Sequence, residues 1–159
     1  DLISALLVLA QTKDEEDERA EDIKLYISTY GGSADEMFGI YDVMNFCKKF
    51  CDIQTIGLGK VMSAGTLLLA AGTKGKRYVG NHTRVMIHSV NGGSIGELHN
   101  LQNEMEQIAG LQESYIQAMS NETSMTKRQI QTLINRKVNV YLSSEEALEK
   151  GLADEVWNG

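Results

Sequence analysis

The chain has no stretch of eighteen apolar residues and no charged-then-apolar leader, so neither a membrane span nor export is expected. Bases are outnumbered: 15 Lys and Arg face 22 Asp and Glu, for a formal net charge of −7. That balance argues against nucleic acid as a partner. Cysteine is scarce. Cys47 and Cys51 stand four apart at an expected helix end, with no paired His or Cys motif. This argues against a disulfide or a metal site and fits a reducing compartment, so the cytoplasm is the expected location. Proline is absent from all 159 residues, where average usage gives about eight. No feature of the sequence accounts for that absence.

What is present describes one globular domain. Its 159 residues suffice for a proper core, and 42% apolar and 23% charged residues are ordinary proportions. Much of the acidity is local, because residues 13–22 hold seven acids against two bases. A solvated turn is the plain reading, with a docking surface as the lesser one.

The centre of the chain is residues 57–71, GLGKVMSAGTLLLAA. Residues 51–57 are β-branched and alternate, so they read as a strand. Val61 to Gly72 carries no charge and reads as a buried helix after a small-residue turn. Ser63 then sits where a strand turns into a helix. There a hydroxyl can project into a cleft beside the free N–H groups of the helix start. A nucleophilic serine needs such a place, because the anion on the attacked carbonyl wants preorganised donors. The G-x-S-x-G spacing is incomplete, since Val61 occupies the first Gly position. The plainer alternative is a serine that caps the helix.

The remaining elements alternate. Leu2 to Gln11 reads as a helix and Ile23 to Ser28 as a strand, closed by a turn with Gly31 and Gly32. Backbone N–H groups at such a turn can approach a ligand closely, although a bare turn is the simpler reading. Ala34 to Lys49 is a helix. Arg77 to Val79 and Thr83 to His88 are strands, with His88 placed like a structural histidine or a general base. A glycine-rich segment, residues 91–96, leads into a helix from Glu97 to Met119, interrupted at Gly110. So long a helix in so small a domain is expected to protrude onto a neighbouring subunit, the alternative being one laid across its own core. A short helix to Ile134, a strand from Val138 to Tyr141, a capped helix from Ser143 to Gly151 and a strand from Leu152 to Trp157 complete an α/β order.

Three pieces together resemble one family. They are Met62-Ser63-Ala64-Gly65, Arg84 to His88, and Tyr141 to Asp154; the Gly31-Gly32 turn and residues 72–77 fit as well. The chain is similar to ClpP, the caseinolytic serine protease of the Clp system, along essentially all its length. The family's N-terminal portion is not in this sequence. The resemblance implies a crotonase-like fold of stacked ββα units in a single protease domain over 1–159, with a handle segment at about 91–120. It implies serine endopeptidase activity on unfolded polypeptide, in heptameric rings paired into a tetradecamer. An ATP-driven AAA+ unfoldase such as ClpX or ClpC would deliver substrate, so no cofactor is implied in this subunit. Carried over by position, Ser63 would be nucleophile and His88 general base. The N–H groups of Gly31 and Ala64 would form the oxyanion hole. Asn91, Gly92, Gly93, Ser94 and Ile95 would pair with substrate as an added strand.

The sequence departs from the family at several of these places. Thr29-Tyr30-Gly31-Gly32 replaces Ser-Pro-Gly-Gly, Ala64 replaces Met, and Val90 replaces Pro. The third triad position, usually Asp, falls on Asn139, and Val138 takes the place of a ring-contact Arg. An Asn carbonyl can accept the imidazole N–H but supplies no negative charge. A weak or conditionally active peptidase is therefore expected. The rival readings are an inactive ring subunit that modulates an active homologue, and a crotonase-type acyl-CoA enzyme. The retained Ser63 and His88 oppose both. Asp154 is a lesser candidate for the orienting carboxylate.

Overall fold

The computed structural model describes residues 1–12 and 19–159; most of the acidic run, residues 13–18, lies outside the described residues. The elements are α1 (Leu2–Gln11), β1 (Ile23–Thr29), α2 (Ala34–Cys47), β2 (Ile53–Met62), α3 (Ala64–Ala70), β3 (Arg77–Val79), β4 (Arg84–Ile87), α4 (Leu98–Glu122), α5 (Lys127–Ile134), β5 (Val140–Leu142), α6 (Ser144–Glu149) and β6 (Glu155–Val156). No helix is long and apolar enough to cross a membrane among the described residues.

β2 is the axis of the sheet. Its first half lies between β1 and β3, all parallel, and its last residues pair in parallel with β4. β6 extends the sheet beyond β3, and β5 closes the other end antiparallel to β4. The ladder with β1 is irregular. From Ile27 to Thr29 is two steps on β1, while the paired positions Gly57 and Val61 are four steps apart on β2. Such a bulge bends a strand and increases its twist, so β2 serves two neighbours in succession and the sheet curls.

The strand therefore runs five residues beyond Gly57, where a turn was expected. Two glycines in a short apolar run read as a turn, but Gly59, with a φ of 68°, sits in the bulge instead, and the ladders to β1 and β4 resume beyond it and carry the strand on to Met62. The real turn is one residue long. α3 follows at once and is the buried helix that its composition predicts: Leu67 and Leu69 have no exposure. Full burial of each contributes about 1.5–3 kcal/mol. Around it gather Val61, Val85, Tyr115, Ile116, Met119, Ile130 and Leu152 in the main cluster. A second cluster joins α1 and α2 to the start of β2 through Leu6, Met44, Cys47 and Ile53.

The long helix protrudes. α4 has 25 residues, about 37 Å at the helical rise, and only Tyr115, Ile116, Ala118 and Met119 are buried. Gly110 does not interrupt it. Leu98 is 66% exposed and Met105 71%. The C-terminal region follows local signals. Ser143 caps α6 in a capping box with Glu146, while Ser144 is buried and donates to the Gly80 carbonyl at 2.7 Å. The last two strands are shorter or shifted relative to expectation: β5 begins at Val140 and β6 is only Glu155–Val156.

Arg77 ties these layers together. Its Nε and Nη2 donate to Asp154 at 2.9 and 2.7 Å, and its Nη1 donates to the carbonyls of Ala70 and Glu122 at 3.0 and 2.6 Å. It thus satisfies carbonyls at the ends of α3 and α4 while pairing with the C-terminal segment. Asp154 is occupied here and does not line the cavity at Ser63, which fits a structural role. Burial raises its carboxyl, but the Arg77 hydrogen bonds and charge and the N–H groups of Gly75 and Arg77 outweigh it, so the net shift is downward.

Arg77→Met should cost about 3–5 kcal/mol in denaturant unfolding, because a carboxylate and two carbonyls lose their partner. A loss below about 1 kcal/mol would mean that water replaces the guanidinium. A carboxyl lowered by folding adds stability that is complete above the unfolded value of about 3.9 and disappears as pH falls through the folded value. The unfolding midpoint should therefore drop on acidification below about pH 4, and Asp154→Asn should flatten part of that drop.

Candidate active site

The turn at Ser63 is strained. Its φ of 54° and ψ of −119° lie where non-glycine residues rarely sit, at a cost of about 1–3 kcal/mol. The backbone is held from several sides. Ser63 N–H donates to the Met86 carbonyl of β4 at 2.8 Å. Its own carbonyl accepts from Thr66 N–H at 3.0 Å and from Thr66 Oγ1 at 2.6 Å. The hydroxyl makes no capping bond to α3. The plain capping role is therefore not the one Ser63 plays, and its side chain is left to the cavity.

Two glycines make room for this arrangement. A Cβ on Gly31 would lie 2.6 Å from Ser63 Cβ and 3.1 Å from Ser63 Oγ; a Cβ on Gly65 would lie 2.5 Å from Thr29 Cγ2. Gly31 also has a φ of 109°, open to glycine at little cost. The turn after β1 thus presses directly against the serine.

Ser63, Ala64, His88 and Asn91 share the walls of a cavity of about 290 Å³, with Gly32, Met37, Val90 and Tyr115 among the other residues around it. His88 is half-buried, one residue beyond β4. The Ser63 bond to Met86 locks that end of β4 beside the turn, which is how residues far apart in sequence meet. Gly31, expected to offer its N–H here, donates it to Thr29 Oγ1 at 3.0 Å and does not line the cavity. Gly32 does line it. A Ser or Thr two residues before a turn N–H often accepts in this way, and that local signal lies in the sequence.

Asn139 is exposed, immediately before β5. β5 runs antiparallel to β4 with Ile87 opposite Val140. The ladder ends at that pair, with His88 and Asn139 each one residue beyond it, and Asn139 does not line the cavity. Val90 N–H donates to Gln112 Oε1 at 3.3 Å, and Gly92 lies against Ile108, so the chain leaving the cavity follows α4. Gly93, Ser94 and Ile95 are exposed, and the segment forms no strand within this chain. Tyr115 and Thr66 escape a reading of the sequence: both fit apolar helix faces, and their mutual contact spans 49 residues. Among the described residues, no three His, Cys, Asp or Glu side chains gather as metal ligands.

The geometry offers an uncapped serine hydroxyl, an imidazole across the same cavity and backbone N–H groups beside them. That set suits acyl transfer. A family model described as Clp protease matches residues 1–159. The ATP-dependent Clp protease proteolytic subunit 2 of Thermobifida fusca (strain YX) is 35% identical over 155 residues, which cover 98% of this chain and 72% of that protein. Because the match runs the whole length and not only through the cavity, the chain belongs to the Clp protease family, as a proteolytic subunit of its serine-protease type.

Proposed function

We propose that Ser63 and His88 are the nucleophile and general base of an endopeptidase acting on unfolded polypeptide. The observation that carries this reading is the strained, uncapped Ser63 facing His88 across one cavity. His88 takes the hydroxyl proton as Oγ attacks the peptide carbonyl carbon. The tetrahedral anion accepts hydrogen bonds from Ala64 N–H and, with Gly31 N–H already given to Thr29, from Gly32. His88 returns the proton to the leaving amine, and water then releases the acyl group by the reverse sequence. Asn139 orients His88 through its carbonyl oxygen and adds no charge.

Residues 91–95 receive substrate by strand addition, as their exposed and unladdered backbone permits. Recognition through the main chain accounts for weak sequence preference. The family assembles as oligomeric rings working with Clp ATPases. For this chain, in this reading, the rings are heptameric and stack into a tetradecamer, and a AAA+ unfoldase such as ClpX or ClpC feeds the chamber. ATP is consumed by that partner, and the subunit itself uses no cofactor. Two free, buried thiols support a cytoplasmic site of action. The exposed Leu98 and Met105 on the protruding α4 support a role in joining rings.

A fluorophosphonate should label Ser63 in the assembled protein, detected by intact mass, and Ser63→Ala should abolish the label. Parent protein that stays unlabelled while assembled would count against the nucleophile assignment. In chymotrypsin-type proteases Asp→Asn at the orienting position lowers kcat about 10⁴-fold, so Asn139→Asp should raise peptidase kcat by about tenfold or more. An unchanged kcat would show that Asn139 does not limit turnover. Leu98→Glu combined with Met105→Glu should halve the mass of the particle in sedimentation without unfolding the subunit. A particle of unaltered mass would remove α4 from the contact between rings.

A further inference from the structure

Beside Ser63 lies a buried chain of hydroxyl groups that the reaction just described does not use. Tyr115 OH and Thr66 Oγ1 are 2.6 Å apart, and Thr66 Oγ1 is 2.6 Å from the Ser63 carbonyl oxygen. Proton counting fixes the direction. A carbonyl oxygen only accepts, so the single Thr66 proton goes to Ser63. Thr66 Oγ1 must then accept from Tyr115, which has to be a neutral donor. Burial pushes the Tyr115 hydroxyl up to about 12, against the pull of its Thr66 contact, so it keeps its proton.

The Ser63 carbonyl shares a peptide plane with Ala64 N–H. The bond is trans, as are all peptide bonds of the described residues, so the two groups point in opposite directions. Whatever fixes the carbonyl also aims the N–H. The carbonyl is held by two donors of one residue, Thr66 N–H at 3.0 Å and Thr66 Oγ1 at 2.6 Å. Ala64 lies on the cavity wall.

We propose that Tyr115 is a positioning residue for the hydrolysis: through Thr66 it fixes the Ser63–Ala64 peptide plane and aims Ala64 N–H at the developing oxyanion. The proposal rests on the assignment of Ala64 N–H as an oxyanion donor. A hydroxyl that merely satisfies a buried ring would contribute to stability alone. A positioning hydroxyl contributes to the transition state and leaves ground-state binding nearly untouched.

The test uses the assembled protein with Tyr115→Phe, Thr66→Val, the double variant, and Thr66→Ser, which keeps the hydroxyl. Tyr115→Phe should lower kcat for a fluorogenic peptide about tenfold with KM little changed, and weaken a peptide boronate by the same factor as kcat/KM. Thr66→Ser should stay near the parent, and the double variant should be no worse than Thr66→Val. A parental kcat in Tyr115→Phe, a loss confined to KM, or additive losses would overturn the proposal. Should Tyr115→Phe fail to assemble, Thr66→Val against Thr66→Ser decides by the same criteria. Fluorophosphonate labelling separates the two levels. No label on the parent overturns the Ser63 assignment beneath the proposal; a parent that labels, with variants labelling at the same rate, overturns the proposal alone.

Discussion

A strained backbone persists only where its surroundings over-determine it, and Ser63 is such a place. β4 takes its N–H, α3 returns two donors to its carbonyl, and the turn after β1 presses against its side chain with no Cβ between them. Each constraint comes from a different element, so the conformation depends on the fold being complete. The bulge in β2 serves the same end. By bending the strand it lets the first half pair with β3 and the last three residues pair with β4, which delivers His88 to the cavity.

The scaffold is secured at a distance from this point. Arg77 is almost fully buried, and its donors are shared between Asp154 and the carbonyls that end α3 and α4. Buried ion pairs contribute little net stability compared with apolar packing, yet removing one partner is costly. Their value lies in specifying an arrangement. Here the arrangement is the relative seating of the two helices that carry Thr66 and Tyr115. The clamp and the cavity therefore share elements without sharing chemistry, and the strain at Ser63 is borne by a framework anchored elsewhere.

Local signals were legible in the sequence. The alternation of Ile23 to Ser28, the cap of α6 and the apolar composition of α3 all determine their elements within a few residues. The capping box at Ser143 is such a case, since partners three residues apart need no tertiary context. What was illegible depends on contacts across the chain. Gly57 and Gly59 look like a turn, yet pairing with β1 and then β4 carries the strand past them, with Gly59 left-handed in the bulge. Ser63 and His88 each stand out by position, at a strand-to-helix turn and at a strand end, but only the family motifs pair them, because nothing in their spacing predicts a shared cavity. Tyr115 reads as one more apolar position on a helix face, and its partner lies 49 residues away.

In the proposed mechanism, an Asn139 that orients His88 in place of a carboxylate changes where stabilisation has to come from. During attack positive charge develops on the imidazole and negative charge on the substrate oxygen. An Asp beside the imidazole stabilises the first; an Asn only orients it. The proposed oxyanion donors are backbone groups that do not depend on position 139, and preorganised dipoles around a developing charge are commonly the largest single contribution to catalysis. Under the proposed assignment of Asn139 and Ala64, a larger share of transition-state stabilisation would fall on the Ala64 peptide and so on the groups that hold its plane. Thr66 and Tyr115 are enclosed and joined by short hydrogen bonds, so little reorganisation is needed when the anion forms. On that proposal, the departure at Asn139 and the hydroxyl chain behind Ser63 belong to one balance: less charge beside the base, and a firmly oriented donor beside the nucleophile.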